Sequence, residues 1–146
     1  MKKISLILLL VFFSGCTTTQ TLTSLQRRAI EAKELEGNFD DAFKATLQVL
    51  QDYGYVITNS DYKAGVIQGE TGEKYDFWWG EKNYKVTVTI EQFGENRVKE
   101  RITFLETKGM SGWTAKHTII VENAQLLQKI YDDIQKEIFI RQNLNK

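Results

Sequence analysis

From Asn83 to Gln92 the chain reads NYKVTVTIEQ, and apolar and polar residues alternate: Val86, Val88 and Ile90 fall on one side, Lys85, Thr87, Thr89 and Glu91 on the other. A period of two belongs to a strand with one face in a core and one in water. Gly94-Glu95-Asn96 supplies a turn, after which Arg97 to Thr107 runs back with Val98, Ile102 and Phe104 on the inner side. Glu100 interrupts that side, so its position is expected near an open edge or a bulge. A second turn, KGMSG at 108–112, leads into WTAKHTIIV, a further strand rich in β-branched residues.

The period changes elsewhere. In NFDDAFKATLQVLQDYG (38–54), Phe39, Phe43, Leu47 and Leu50 recur at helical spacing and leave Lys44, Gln48 and Gln51 for water. Asn38 is a suitable N-cap, Asp40 and Asp41 put negative charge in the first turn, and Gly54 stops the helix. Tyr55–Thr58 and Val66–Gln68 then read as strands around the turn SDYKAG. Asn123 caps a last helix with Leu127, Ile130, Ile134 and Ile138 as its apolar stripe and Gln128, Asp132, Asp133 and Lys136 on its wet face. LQRRAIEAKELEG (25–37) stays open: its propensity favours helix, yet the sheet would gain an edge strand from it. Hairpins plus two helices predict an α+β domain, an antiparallel sheet packed against two helices.

The first residues follow neither period. Lys2 and Lys3 precede Ile4–Phe13, in which Ser5 is the one polar residue, and the small pair Ser14-Gly15 leads to Cys16, the single cysteine of the 146. A charged start, a short apolar run and a small-residue exit are those of a secretory signal, and the run is far below the roughly 20 residues of a spanning helix. Phe13-Ser14-Gly15-Cys16 resembles the lipobox of bacterial lipoproteins, with Phe13 where leucine is commonest. That resemblance implies cleavage before Cys16, diacylglyceryl transfer to its sulfur and acylation of its new amino group. Two or three acyl chains hold a protein stably to a bilayer, where one does so only marginally. By the same resemblance, the absence of aspartate at position 17 implies sorting to the outer membrane, facing the periplasm. TTTQTLTS (17–24) is uncharged and low in complexity and reads as a tether. The expected organisation is a signal peptide over 1–15, lipid anchor and tether over 16–24, and a single α+β domain over 25–146.

Composition narrows the functional classes. Losing Lys2 and Lys3 with residues 1–15 takes 19 basic side chains to 17 against 19 acidic, which argues against nucleic acid as a partner. A lone cysteine forms no internal disulfide. His117 stands mid-strand with no second histidine, so it reads as a core residue rather than a ligand or base. Gly109-Met110-Ser111-Gly112-Trp113 resembles half a nucleophile elbow, but Trp113 takes the place of the second glycine and the context is a hairpin. Asp132-Asp133 reads as a solvated pair. Arg97, Lys99 and Arg101 share an outer strand face, read as an ordinary charged exterior with Glu91 opposite Lys99. No residues assemble into a catalytic, metal or cofactor site, and no enzymatic activity or cofactor is expected.

Tyr75, Phe77, Trp78 and Trp79 crowd four aromatic rings into five positions. Neighbours on a strand alternate sides, so one face cannot bury them all; they form a candidate contact patch, the alternative being a cap over the end of the core. Finally, the run Leu47–Ile57, with Ser60-Asp61 and Gly65-Val66-Ile67, resembles the opening of the helix-grip domains of small bacterial lipoproteins, such as those of the lipoprotein C component of the outer-membrane β-barrel assembly machinery. That resemblance implies an antiparallel sheet gripping a long C-terminal helix. The expectation is a lipid-anchored envelope lipoprotein that binds a protein partner as a non-enzymatic accessory or scaffold module. The alternative is a binder of a small apolar ligand or lipid in a cavity between sheet and C-terminal helix.

Overall fold

A computed structural model of the protein describes residues 23–72, 74–76, 80–109, 117–120 and 123–144, with side chains for 23–72, 83–107 and 123–143. The elements are α1 (Ser24–Glu31), β1 (Ala32–Glu36), α2 (Phe39–Asp52), β2 (Val56–Asp61), β3 (Val66–Glu70), β4 (Lys74–Asp76), β5 (Gly80–Gln92), β6 (Arg97–Gly109), β7 (His117–Ile120) and α3 (Ala124–Leu144). The sheet runs β1-β6-β5-β3-β2, with β4 also beside β5 and β7 also beside β6. Every pairing is antiparallel. The α+β architecture, an antiparallel sheet packed against helices, is the one the periodicity predicts.

The ambiguous stretch before Gly37 is helix and then strand. Thr23 and Ser24, read above as the end of the tether, cap and open α1: the Gln26 amide donates to Thr23 Oγ1 and the Thr23 amide to Gln26 Oε1, a reciprocal capping box. The chain turns extended at Ala32. β1 then pairs with β6 over Ala32↔Arg101 to Glu36↔Arg97, while β7 takes the same edge of β6 farther on, from Leu105↔Ile120 to Lys108↔His117.

Helix α2 begins as its sequence asks, with the Asp41 amide on Asn38 Oδ1 at 2.8 Å. It ends in a Schellman motif: Tyr55 N–H meets the Leu50 carbonyl, Gly54 N–H meets that of Gln51, and Gly54 takes a φ of +84°. Its buried face is Ala42, Phe43, Ala45, Thr46, Val49 and Leu50, with Leu47 only half-buried. The small residues at 42, 45 and 46 let the helix lie close on the sheet. Asn123 caps α3, accepting from the Leu126 amide at 2.9 Å. Leu127, Ile130, Ile134 and Ile138 then meet Leu35, Val86, Val88, Ile90, Val98, Ile102 and Phe104 in one core. The other sheet face carries Lys85, Glu91, Arg97, Lys99 and Arg101 to solvent.

Glu100 is neither at an edge nor at a bulge. The β5–β6 register is unbroken from Glu81↔Gly109 to Gln92↔Val98, and Glu100 lies between Ile90 of β5 and Lys33 of β1. It is fully buried. The register shift in this sheet falls instead between Ile57 and Asn59 of β2.

Candidate functional site

Cys16, Phe77, Trp78, Trp79 and Trp113 lie outside the described residues; Tyr75 and His117 are described only as backbone, in β4 opposite Glu81 and in β7 opposite Lys108. Lys99 faces Glu91 on one side and Glu34 on the other, and the Arg97 guanidinium is 3.9 Å from Glu34. The charged-exterior reading therefore fits the register. Asp132-Asp133 is more than a solvated pair. Asp132 accepts from Lys33 Nζ at 3.2 Å, and Asp133 accepts the Tyr53 hydroxyl at 2.9 Å, so the two carboxylates tie α3 to β1 and to the end of α2. The hydrogen bond from Tyr53 and the Lys136 ammonium hold the Asp133 carboxyl below its ordinary range, while burial and that same carboxylate push the Tyr53 phenol up to about 12.

An open margin lies where β1 meets α3. β1 is an edge strand, and its even-numbered residues turn their backbone groups away from β6. The Ala32 N–H is taken by the Arg28 carbonyl. Glu36 is taken by Gln135, whose amide oxygen accepts from the Glu36 N–H and whose nitrogen donates to the Glu36 carbonyl, both at 2.9 Å. Between them Glu34 faces solvent. Beside this margin runs a groove of about 740 Å³ lined by Glu34, Glu36, Gln135, Lys136, Phe139 and Ile140. Phe139 is 65% and Ile140 47% exposed. They follow Ile138, the last residue of the buried stripe, so their apolar side chains fall outside the core face. A separate crevice of about 340 Å³ lies nearer α1, between Ala29, Ile30, Ala32 and Lys33 and the N-terminal half of α3.

Beneath the crevice, which Tyr131 also lines, lies a buried polar cluster that no sequence period reveals. Tyr131 of α3 passes its hydroxyl into the sheet, where it accepts from the Ile102 amide at 3.1 Å and faces the carbonyls of Glu31 and Glu100. Continuing the β1–β6 register one step beyond Ala32↔Arg101 would pair residue 31 with residue 102. The hydroxyl thus stands in for a missing rung, satisfying groups that would otherwise be buried unpaired. Burial, reinforced by the Glu100 carboxyl, raises the Tyr131 phenol well above its ordinary range. Glu100 Oε1 accepts from Thr46 Oγ1 of α2 at 3.1 Å, while Oε2 is buried without a partner among the described residues. Desolvation pushes this carboxyl up to about 8, the Thr46 bond opposing it. A second inward carboxyl, Glu106, takes the Tyr84 hydroxyl at 3.2 Å.

Among the described residues no group of three or more His, Cys, Asp or Glu is placed to hold a metal ion, and no helix there is long and apolar enough to cross a membrane. No family model matches the chain, and no curated protein does. Among solved structures, the adenylate sensor of AMP-activated protein kinase is similar at a TM-score of 0.43 and 8% identity, over 73% of this chain and 94% of that one. A TBP-like protein from Parabacteroides distasonis ATCC 8503 is similar at 0.33 and 15%, over 77% and 85%. At these scores neither carries a functional argument.

Proposed function

We propose that the chain is a lipoprotein of the bacterial cell envelope, held through Cys16 to the outer membrane facing the periplasm, and that its domain is a non-enzymatic protein-binding module. The location rests on the tetrapeptide Phe13–Cys16 and the segment before it. The binding role rests on one observation, the groove in which Phe139 and Ile140 stand exposed beside the open part of β1. Apolar side chains gathered in a groove beside a strand edge suit a protein segment, which can add backbone bonds and side-chain burial together. The space between sheet and α3 is filled by Ile130, Tyr131, Ile134 and Ile138, each at most 2% exposed; this weighs against a ligand cavity there. The aromatic run Tyr75, Phe77, Trp78 and Trp79 is a second candidate contact.

Site-specific photocrosslinking in intact cells tests the binding role. A crosslinker at position 139 is expected to give a discrete adduct with an envelope protein, and Ile140→Asp to remove it. The same adduct pattern from position 63 would sink the groove as the contact. Crosslinkers at 78 and 79 test the aromatic run in the same way. Anchoring is tested separately: Cys16→Ser should abolish palmitate incorporation, and undiminished labelling would refute the lipidation.

A further inference from the structure

The groove beside Phe139 and Ile140 ends where the chain crosses α3 at Gly37. A Cβ on Gly37 would come within 2.5 Å of Ile138 Cγ2 and 3.5 Å of Gln142 Nε2, and the Gly37 N–H donates to the Asn96 carbonyl at 3.0 Å. Just before this crossing Glu36 lines the groove. Just after it Asn38, with Gln142, Asp40 and Glu95, lines a second opening of about 870 Å³. Two residues of extended chain separate Glu36 from Asn38, roughly 7 Å. Phe139 and Gln142 are three residues apart on α3 and so neighbours on its surface.

Both openings are acidic. Glu34, Glu36, Asp40, Asp41 and Glu95 line them, against a single cation, Lys136. That ammonium is already on Asp133 at 3.1 Å, and the cations nearby are also engaged, Lys44 with Asp40, Arg97 with Glu34 and Arg141 with Glu137. Asp41 is buried and accepts from the Asn38 amide. Glu36 and Glu95 are left, both exposed and neither in an ion pair among the described residues. We infer that the protein segment received by the groove is basic: apolar side chains cover Phe139 and Ile140, and adjoining Lys or Arg side chains meet Glu36 on one side of Gly37 and Glu95 on the other. This rests on the groove being the contact, as proposed above. Burial of the apolar pair supplies the affinity. Exposed ion pairs add little to it, but they speed encounter and turn away segments that carry carboxylates. Lys and Arg suit the place because their apolar stems can lie along the groove while their charges reach past it.

The test keeps the full chain in intact cells, with the photocrosslinker at position 139. Glu36→Lys/Glu95→Lys is expected to lower the adduct at least about fivefold, circular dichroism of the purified variant remaining unchanged, since Gln135 bonds only the backbone of Glu36. Asp52→Lys, at the opposite end of α2, should leave the yield as it is. Mass spectrometric sequencing of the adduct should place the crosslink in another protein, within six residues of a net charge of about +2 or more. If Ile140→Asp removes the adduct while the double reversal does not, or if Asp52→Lys lowers it equally, the groove stands and the basic partner is wrong. A crosslinked segment that is neutral or acidic, or that comes from a second copy of this chain, overturns the inference in the same way. Absence of any discrete adduct from position 139 removes the groove reading itself.

Discussion

The side-chain amide of Gln135 on α3 completes the outer edge of β1 at Glu36, donating to its carbonyl and accepting from its N–H at 2.9 Å each. It presents to that residue the donor and acceptor that a neighbouring strand would offer. An edge with both groups free is a template for pairing with another chain. Gln135→Ala is expected to cost about 1–2 kcal/mol in urea denaturation, from two largely solvent-exposed hydrogen bonds. Light scattering should show more self-association than wild type; a variant that stays monomeric at every concentration would mean that the edge is protected by something else.

Tyr131 offers a cleaner separation of hydrogen bonding from packing. Tyr131→Phe keeps the buried ring and removes only the hydroxyl, leaving the Ile102 N–H without its acceptor and the Glu31 carbonyl without its donor. The expected loss is about 1–3 kcal/mol. Amide exchange identifies the cause: the Ile102 amide should exchange faster relative to Val98 and Phe104 on the same strand, whereas a uniform acceleration would point to general loosening.

How far the sequence carried depends on whether a residue's partner is near it in the chain. Val86, Val88 and Ile90 announce β5 through local alternation, and the stripe from Leu127 to Ile138 announces α3. Thr23 and Gln26 have the spacing of a capping box, a signal that the surrounding threonine-rich stretch masks. The inner face of α2 lies a fraction of a turn from the stripe Phe39, Phe43, Leu47 and Leu50, because Ala42 and Thr46 carry no apolar signal comparable with Leu47. Glu100 is the position that local alternation puts wrongly, at an edge or a bulge: its partner Thr46 is 54 residues away, and the strand's own period shows only a charge on the inner side. The groove left a trace, since Phe139 and Ile140 are apolar positions that the stripe does not use.

Gly65 closes the β2–β3 turn with φ at +65°, and a Cβ there would collide with the carbonyl oxygen of Ile90, whose own amide donates to the Gly65 carbonyl at 2.7 Å. Backbone conformation and backbone contact both exclude a side chain. Gly65→Ala is therefore expected to cost roughly 2–4 kcal/mol, above the usual penalty of a left-handed alanine. Gly54→Ala is the control. It also has positive φ, at +84°, but nothing within 4 Å of the added carbon, so it should lose only about 1 kcal/mol. Equal losses would show that the Ile90 contact relaxes at no cost.

Glu100 sets the pH dependence. Its carboxyl is enclosed by Thr46 from α2, Tyr131 from α3 and Ile90 from β5, and Lys33 opposite it on β1 sends its ammonium outward to Asp132. With a folded pKa pushed from 4.5 up to about 8, the native protein keeps a proton that the unfolded chain releases. Below pH 4.5 both states are protonated and this group's contribution is fully present. As pH rises through 8 it is lost, with a slope of at most about 1.4 kcal/mol per pH unit, totalling a few kcal/mol. Glu100→Gln keeps an oxygen for the Thr46 hydroxyl and cannot ionise. Urea midpoints at pH 5 and pH 9 should fall for wild type and stay nearly level for the variant, which becomes the more stable of the two at pH 9. Parallel declines in both proteins would show that the alkaline loss arises from another group.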